Sequence, residues 1–399
     1  MLNAFIYDGL RTPFGRHAGN LAAVRPDNLV AGVIKALVER TGVNPELIED
    51  VLLGCTNQAG EDSRNVARHA LLLAGLPTAI PGQTVNRLCS SGLAAVADAA
   101  RAITCNEGEL YLAGGVESMS RAPFVFAKAE SAYSRDVRVF DSTIGARFPN
   151  PKIISGFGNE TMPETADNVA REYGIGREDS DRFAAASQAR YAIAKASGFY
   201  GDEISPVTIP QGKKPPLVVE EDEHPRPDSD FEALSRLKPL FEGGVVTAGN
   251  ASGVNDGAAV LLLGSRAVEE RIARKPMVRV LSCAAAGVDP RVMGIGPVPA
   301  IKKALERAGL TLKDMDIIEI NEAFATQVLG CLKLLEIPFE DSRVNPNGGA
   351  IALGHPLGAS GARLALTVAR QLQRCNGRYA VISLCIGVGQ GLAVVVERC

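Results

Sequence analysis

The order of strand-like and helix-like stretches runs through this chain twice, with a different kind of sequence between the two passes. In the first pass, residues 4–7 read as a strand, 28–40 as a helix, 50–54 as a strand, 63–74 as a helix and 83–86 as a strand. A helix over 90–104 follows, with Leu93, Val96, Ala97, Ala100 and Ile103 on one face, then a strand over 110–114. In the second pass, 277–285 is a strand, 297–308 a helix, 316–320 a strand and 322–335 a helix. A short strand at 343–345, a helix over 359–373 and closing strands at 378–385 and 392–397 complete it. Alternation of this kind predicts an α/β fold with mostly parallel sheets covered by helices. The last pair lacks a counterpart in the first half unless 258–263 supplies one.

The middle, roughly 121–247, is rich in Pro, Gly, Asp and Arg, and carries the charged run Glu220–His224 before Pro225-Arg226-Pro227. A helical stretch over 164–197 interrupts it. An insertion this long inside an α/β unit is usually functional, so it is expected to help hold a substrate. The expected organisation is a first half of 1–120 plus 248–270, a loop domain over 121–247 and a second half over 271–399.

Composition narrows the function classes. Of 399 residues, 42 are basic and 45 acidic, with no basic block, which argues against nucleic acid as a partner. No run of about 18 apolar residues exists to span a membrane. The N-terminus enters a strand directly without the pattern of a secretory signal, so a cytoplasmic location is expected. None of the eight cysteines forms a C-x-x-C pair, so no metal site is expected. Six of them read as inert thiols.

The other two, Cys89 and Cys385, sit at element ends. Cys89 lies in Asn86-Arg87-Leu88-Cys89-Ser90-Ser91-Gly92, between a strand and an alanine-rich helix. Unpaired N–H groups and the positive end of a helix dipole would favour its thiolate. A small buried residue packing the helix start fits the position equally well. Cys385 opens Cys385-Ile386-Gly387-Val388-Gly389-Gln390-Gly391, which a strand follows, so this is no dinucleotide fingerprint. Its exposed N–H groups suit an oxyanion, although the cysteine by itself reads more readily as a core thiol. His355, in Gly354-His355-Pro356, occupies a glycine-dense segment leading into the helix that repeats the one behind Cys89. Repeat symmetry would bring the two loops together. His17, His69 and His224 read as a loop, a helix face and an exposed acidic run, leaving His355 as the base candidate.

The segments around Cys89, Asn321-Glu322-Ala323-Phe324, Gly354-His355-Pro356 and Cys385-Ile386-Gly387 resemble the four active-site motifs of the thiolase family. Gly249-Asn250-Ala251-Ser252-Gly253-Val254-Asn255-Asp256-Gly257 resembles a further family signature, and the likeness runs along essentially the whole chain. It implies a five-layered αβαβα fold built from two pseudo-symmetric βαβαβαββ halves with an inserted loop domain, usually as a homotetramer. It implies Cys89 as the acylated nucleophile, His355 as its base and Cys385 as the acid/base at the acetyl-CoA carbon. Asn321, through a water, would join His355 in one oxyanion hole, and the N–H groups of Cys89 and Gly387 would form the second. Arg226, Ser252 and Phe324 match positions that contact coenzyme A, which would be a substrate rather than a tightly bound cofactor.

Within the family, Thr161–Ala170 and Asp141–Pro151 resemble the 3-oxoadipyl-CoA thiolases, except that Ala146 stands where a Trp is usual. A dicarboxylic acyl group needs its distal carboxylate paired, and Arg147 is the candidate, with Met162 and Met293 as further acyl-pocket residues. A surface arginine on an insertion is the plain alternative. General acetyl-CoA acetyltransferase activity and non-catalytic acyl-CoA binding are the competing functions. The second loses weight because Cys89, His355 and Cys385 are all present. A decarboxylating condensing enzyme would want a histidine where Asn321 stands.

Overall fold

The computed structural model describes all residues, 1–399. The first half contains β1 (Ala4–Arg11), α1 (Pro26–Thr41), β2 (Asp50–Gly54), α2 (Val66–Leu73), β3 (Gly82–Val85), α3 (Ser91–Thr104) and β4 (Leu110–Ser118). After the insertion, which contributes α4 (Met162–Tyr173) and α5 (Arg177–Ala196), β5 (Asn255–Gly264) returns to that half. The second half runs β6 (Val278–Gly287), α6 (Pro297–Ala308), β7 (Ile317–Ile320), α7 (Ala325–Leu334), α8 (Leu357–Cys375), β8 (Tyr379–Ile386) and β9 (Gln390–Arg398).

The strands form one sheet in the order β7-β8-β9-β6-β1-β5-β4-β2-β3, with Gly15–Arg16 beside β5. Its centre is the antiparallel pair β1–β6, where Ala4 faces Val280 and Ile6 faces Val278. Outward from that seam the halves correspond, β5-β4-β2-β3 on one side and β9-β8-β7 on the other. β5 is therefore the counterpart of β9 that the first half seemed to lack. The stretch 343–345 is not a strand, and only a bridge between Ile318 and Val344 stands where β3 would have its equivalent.

The sheet is mixed, against the expectation of mostly parallel pairing. Only β2–β3, β2–β4 and β7–β8 run parallel. The pairs β1–β5, β1–β6, β4–β5, β6–β9 and β8–β9 are antiparallel. Each half ends on a strand that runs against its neighbours, and β8 reaches β9 through a tight turn in which Val388 and Gly389 have φ of 63° and 79°. A hairpin can make only antiparallel neighbours.

Side-chain alternation turns the sheet into layers. Along β5, Ala259, Leu261 and Leu263 point into a core shared with α3 and α8, whereas Ala258, Val260 and Leu262 point the other way, towards α1 and α2. Along β9, Leu392, Val394 and Val396 join the same shared core, while Ala393 and Val395 meet α6 and α7. The layers are thus α1/α2, half-sheet, α3/α8, half-sheet, α6/α7. Each fully buried branched side chain contributes about 1.5–3 kcal/mol, which explains why strands covered on both faces are apolar throughout. No helix is long and apolar enough to cross a membrane.

The predicted helical stretch 164–197 is two helices, because Gly174 adopts a left-handed conformation (φ 61°) and stops α4. The helix expected from 322 starts only at Ala325, since Phe324 is still extended. Elsewhere the insertion forms two small antiparallel ribbons, Phe124–Phe126 with Val139–Asp141 and Val207–Gln211 with Lys214–Val219.

Candidate active site

Cys89 rides on a turn that closes before α3 begins. Asn86 Oδ1 accepts the Leu88 N–H at 2.9 Å. Ser91 Oγ accepts the Arg87 N–H at 2.9 Å and donates to the Leu88 carbonyl at 2.6 Å. Leu88 is left at φ 46°, an unusual conformation for a branched residue that holds Cys89 at the tip.

The turn meets the His355 loop because α3 and α8 touch backbone to backbone. A Cβ on Gly92 would lie 2.5 Å from the Gly358 carbonyl oxygen. One on Gly361 would collide with the Leu93 backbone, and one on Gly358 would come within 2.7 Å of the Gly54 carbonyl oxygen. Only glycine permits this approach. Glu117, at the end of β4, fastens the junction: its carboxylate accepts the N–H groups of Thr56 at 3.0 Å, Asn57 at 3.1 Å and Gly358 at 2.9 Å.

His355 is clamped on three sides. Its backbone N–H donates to Asn255 Oδ1 at 2.8 Å. Nδ1 lies 2.6 Å from Ser360 Oγ, and that hydroxyl donates its single hydrogen to the Pro356 carbonyl at 2.9 Å. Ser360 therefore receives the Nδ1 proton, and Nε2 carries the lone pair. Nε2 faces Asn321 Nδ2 at 3.4 Å, a long contact with room for adjustment. Burial, aided by the charge of Arg363, pushes the imidazole pKa down to about 3, so the ring is neutral. Asn321 Oδ1 is buried without a partner.

On the other face, the β8–β9 turn reaches Cys89. The Gly387 N–H approaches the Cys89 sulfur closely enough to favour its thiolate. A Cβ on Gly387 would touch Leu88 Cδ1 at 3.4 Å and Met162 Sδ at 3.7 Å, which locates Met162 at this turn. The thiol pKa of Cys89 is nevertheless raised to about 11 by burial, with the N–H groups of Gly387 and Cys89 pulling it down only in part. The backbone N–H groups favour the thiolate as expected, but desolvation of the charged form outweighs them. Cys385 is 1% exposed and sits in a small cluster with Met293, Phe324, Ala166, Val246 and Ala323. Burial and the nearby Cys89 push its thiol well up.

The Asn321–Phe324 segment links these groups to the insertion. Ala251 and Phe324 form a β-bridge, and the Ser252 N–H donates to the Ala323 carbonyl at 2.9 Å. Glu322 accepts from Ser187 Oγ at 2.6 Å, Asn345 Nδ2 at 2.9 Å and the Ile351 N–H at 3.2 Å, tying α5 to the His355 loop. Beside it opens a cavity of about 190 Å³ whose lining includes Gln188, His224, Arg226, Ser229, Gly249 and Ile351. His224 is therefore no exposed member of an acidic run: its ring is half-buried in this cavity.

Arg147 is half-buried with Nε unpartnered, on the stretch that Asn57 Nδ2 holds through Ser142 Oγ at 3.0 Å. No ion pair engages it, and no hydrogen bond joins it to Cys89 or His355. A larger cleft of about 510 Å³ contains none of these groups, and its two arginines, Arg25 and Arg121, are both paired with Glu61. No cluster of acidic, histidine or cysteine side chains is suited to a metal ion.

Sequence reasoning passed over Glu117, Ser360, Asn255 and Glu322 as working parts. Asn255 and Glu322 stood inside quoted motifs, but Glu117 carried no local signal, since its three partners come from distant segments.

"Thiolase, N-terminal domain" matches residues 4–267 and "Thiolase, C-terminal domain" residues 274–398. The chain is 55% identical to a beta-ketoadipyl-CoA thiolase of Acinetobacter baylyi over 400 residues, covering all of both chains. It is 56% identical, again over the full length of both, to a 3-oxoadipyl-CoA/3-oxo-5,6-dehydrosuberyl-CoA thiolase of Escherichia coli. Human mitochondrial 3-ketoacyl-CoA thiolase, solved in complex with CoA, superposes with a TM-score of 0.91 at 39% identity, over 100% of this chain and 98% of the other. With both domains matched in order and the layered fold in place, the chain belongs to the thiolase family of acyltransferases.

Proposed function

We propose that this thiolase cleaves 3-oxoadipyl-CoA with a second CoA, giving acetyl-CoA and succinyl-CoA. The observation that carries the reading is the approach of the Gly387 N–H to the Cys89 sulfur, which brings the turn after Cys385 to the nucleophile. The resting pair is thiol and neutral imidazole. Proton transfer from Cys89 to His355 is then uphill until the sulfur bonds to carbon.

The Cys89 sulfur adds to the 3-oxo carbon as His355 takes its proton. The N–H groups of Cys89 and Gly387 hold the oxygen that becomes negative. The bond between C2 and C3 then breaks, and the electron pair stays on C2 as the enolate of acetyl-CoA. Asn321 and His355, through a water, hold the thioester oxygen of that enolate, and the Cys385 thiol protonates C2. Succinyl-Cys89 is left, and the proton held by His355 passes to the Cys385 thiolate. An incoming CoA thiol then gives its proton to His355 as its sulfur attacks the acyl carbon. Cys89 leaves with that proton, so succinyl-CoA is released and both thiols are restored. The kinetics are ping-pong.

The 121–247 insertion is assigned to holding CoA. Arg226 and Gly249 line the 190 Å³ cavity, and Ser252 and Phe324 belong to the strand-like contact that follows Gly249, through the Ala251–Phe324 bridge. Arg147 is assigned to the distal carboxylate on its unpartnered Nε, with Met162 and Met293 beside the reacting sulfurs. The side chains of Phe124, Phe126, Tyr133 and Val139 stand exposed on the insertion, which favours burial in a homotetramer. All eight cysteines are free, which suits a reducing compartment such as the cytoplasm.

Two measurements test this. Cys89→Ala should give no labelled protein with radiolabelled 3-oxoadipyl-CoA, and stable labelling of that variant would overturn the role of Cys89. Arg147→Ala should lose activity on 3-oxoadipyl-CoA while keeping it on acetoacetyl-CoA. Equal losses on both would remove Arg147 from substrate selection, and a wild-type preference for acetoacetyl-CoA would make the enzyme a general acetyltransferase.

A further inference from the structure

We propose that His224 is a positioning residue that connects the occupant of the 190 Å³ cavity to the His355 loop. The inference rests on reading that cavity as the CoA site and His355 as the base. Two short paths lead from the ring to the catalytic histidine.

The first runs through Gly253. A Cβ there would collide with His224 Cε1 and lie 2.8 Å from its Nδ1, so the ring is pressed onto the Gly253 backbone. The same point is 2.9 Å from Asn255 Oδ1, the atom that accepts the His355 N–H. The second path runs through Ile351, which lines the cavity beside His224. The Ile351 carbonyl favours the protonated ring and accepts Gln188 Nε2 at 3.3 Å. Ile351 belongs to the single turn Ala350–Leu353, which Gly354 joins to His355. Its N–H is fixed by Glu322, so both polar backbone groups of Ile351 are anchored.

The imidazole also has the right charge for this place. Burial and the neighbouring Arg226 drive its pKa down to about 4, so it adds no second cation to the cavity. A neutral ring can keep the Ile351 carbonyl as partner while its face meets the occupant. Filling the cavity would then press on the same ring that steadies Asn255 and Ile351.

The test measures single-turnover acylation of Cys89 by a saturating CoA thioester, with melting temperature as a control of folding. His224→Ala should acylate about tenfold more slowly, the equivalent of one buried hydrogen bond at the stronger end. His224→Gln, which keeps a neutral donor, should recover most of the rate. Gly253→Ala should behave like His224→Ala, since its methyl group evicts the ring. Combined with Asn255→Ala, His224→Ala should cause no further loss, because both act on one path. Wild-type acylation in His224→Ala, or losses that multiply with Asn255→Ala, would overturn the proposal. If the wild-type protein itself forms no acyl-Cys89, the thiolase mechanism fails first and takes this inference with it.

Discussion

Glu319 offers a sharp test of how burial sets charge in this fold. It lies on β7 between Ile318 and Ile320, which face α6 and α7, so its own side chain points with Ile317 into the middle layer. It is 1% exposed, and Oε2 has no partner. Burial raises its pKa from 4.5 to about 8; Arg363 opposes this, while Glu322 and Glu203 add to it. The folded protein therefore holds a proton that the unfolded chain gives up near the ordinary carboxylate value. Its contribution to stability is complete below the unfolded value, falls as pH rises towards 8, and is constant above that. At about 1.4 kcal/mol per pH unit the total is at most roughly 5 kcal/mol. Glu319→Gln keeps the shape and removes the proton, so its melting temperature should gain on the wild type steadily from pH 5 to pH 8. A difference between the two proteins that stays constant across that range would refute the reasoning.

Three further outcomes follow from the site. Ser360→Ala removes the acceptor of the Nδ1 proton, so kcat should fall about tenfold with little change in KM, and steady-state kinetics would show it. Gly358→Ala drives a methyl group into carbonyl oxygens of β2 and β4 that cannot retreat, so thermal unfolding should reveal a loss at or above the usual range of about 1–3 kcal/mol for overpacking. Cys385→Ala should still exchange acetyl groups between acetyl-CoA and Cys89 yet cleave 3-oxoacyl-CoA at least about a hundredfold more slowly, because only cleavage requires a proton at C2.

Much of this was legible in the residues. Strand 50–54 and helix 297–308 appear where the pattern put them, the helix because Gly296-Pro297 and Gly309 bound it. Strand direction was not legible: a period of two marks a strand but says nothing about which way its neighbour runs. The helix start at Ala325 was misplaced because Glu322 and Phe324 are equally at home in a helix. Tertiary ties hold the segment out of it, among them the bridge from Phe324 to Ala251 and the bond from Ser252 to the Ala323 carbonyl. His224 was misread for a similar reason. Its sequence neighbours are acidic, but its spatial neighbours are Gly253 and Ile351, which come from separate parts of the chain. The Cys89 environment was legible only in part, since the dipole can be read from position whereas the cost of losing water depends on everything packed around it.

The glycine contact between α3 and α8 also limits how this protein can change. Neither helix start can drift without the other giving way, so the two repeats are locked as a matched pair despite their separate sequences. A chain cut near residue 270 would yield fragments each bearing part of the reactive set, and activity should return only when both are mixed and reassociate. Exchanging one repeat with a relative's would succeed only if the partner brought a helix start equally bare.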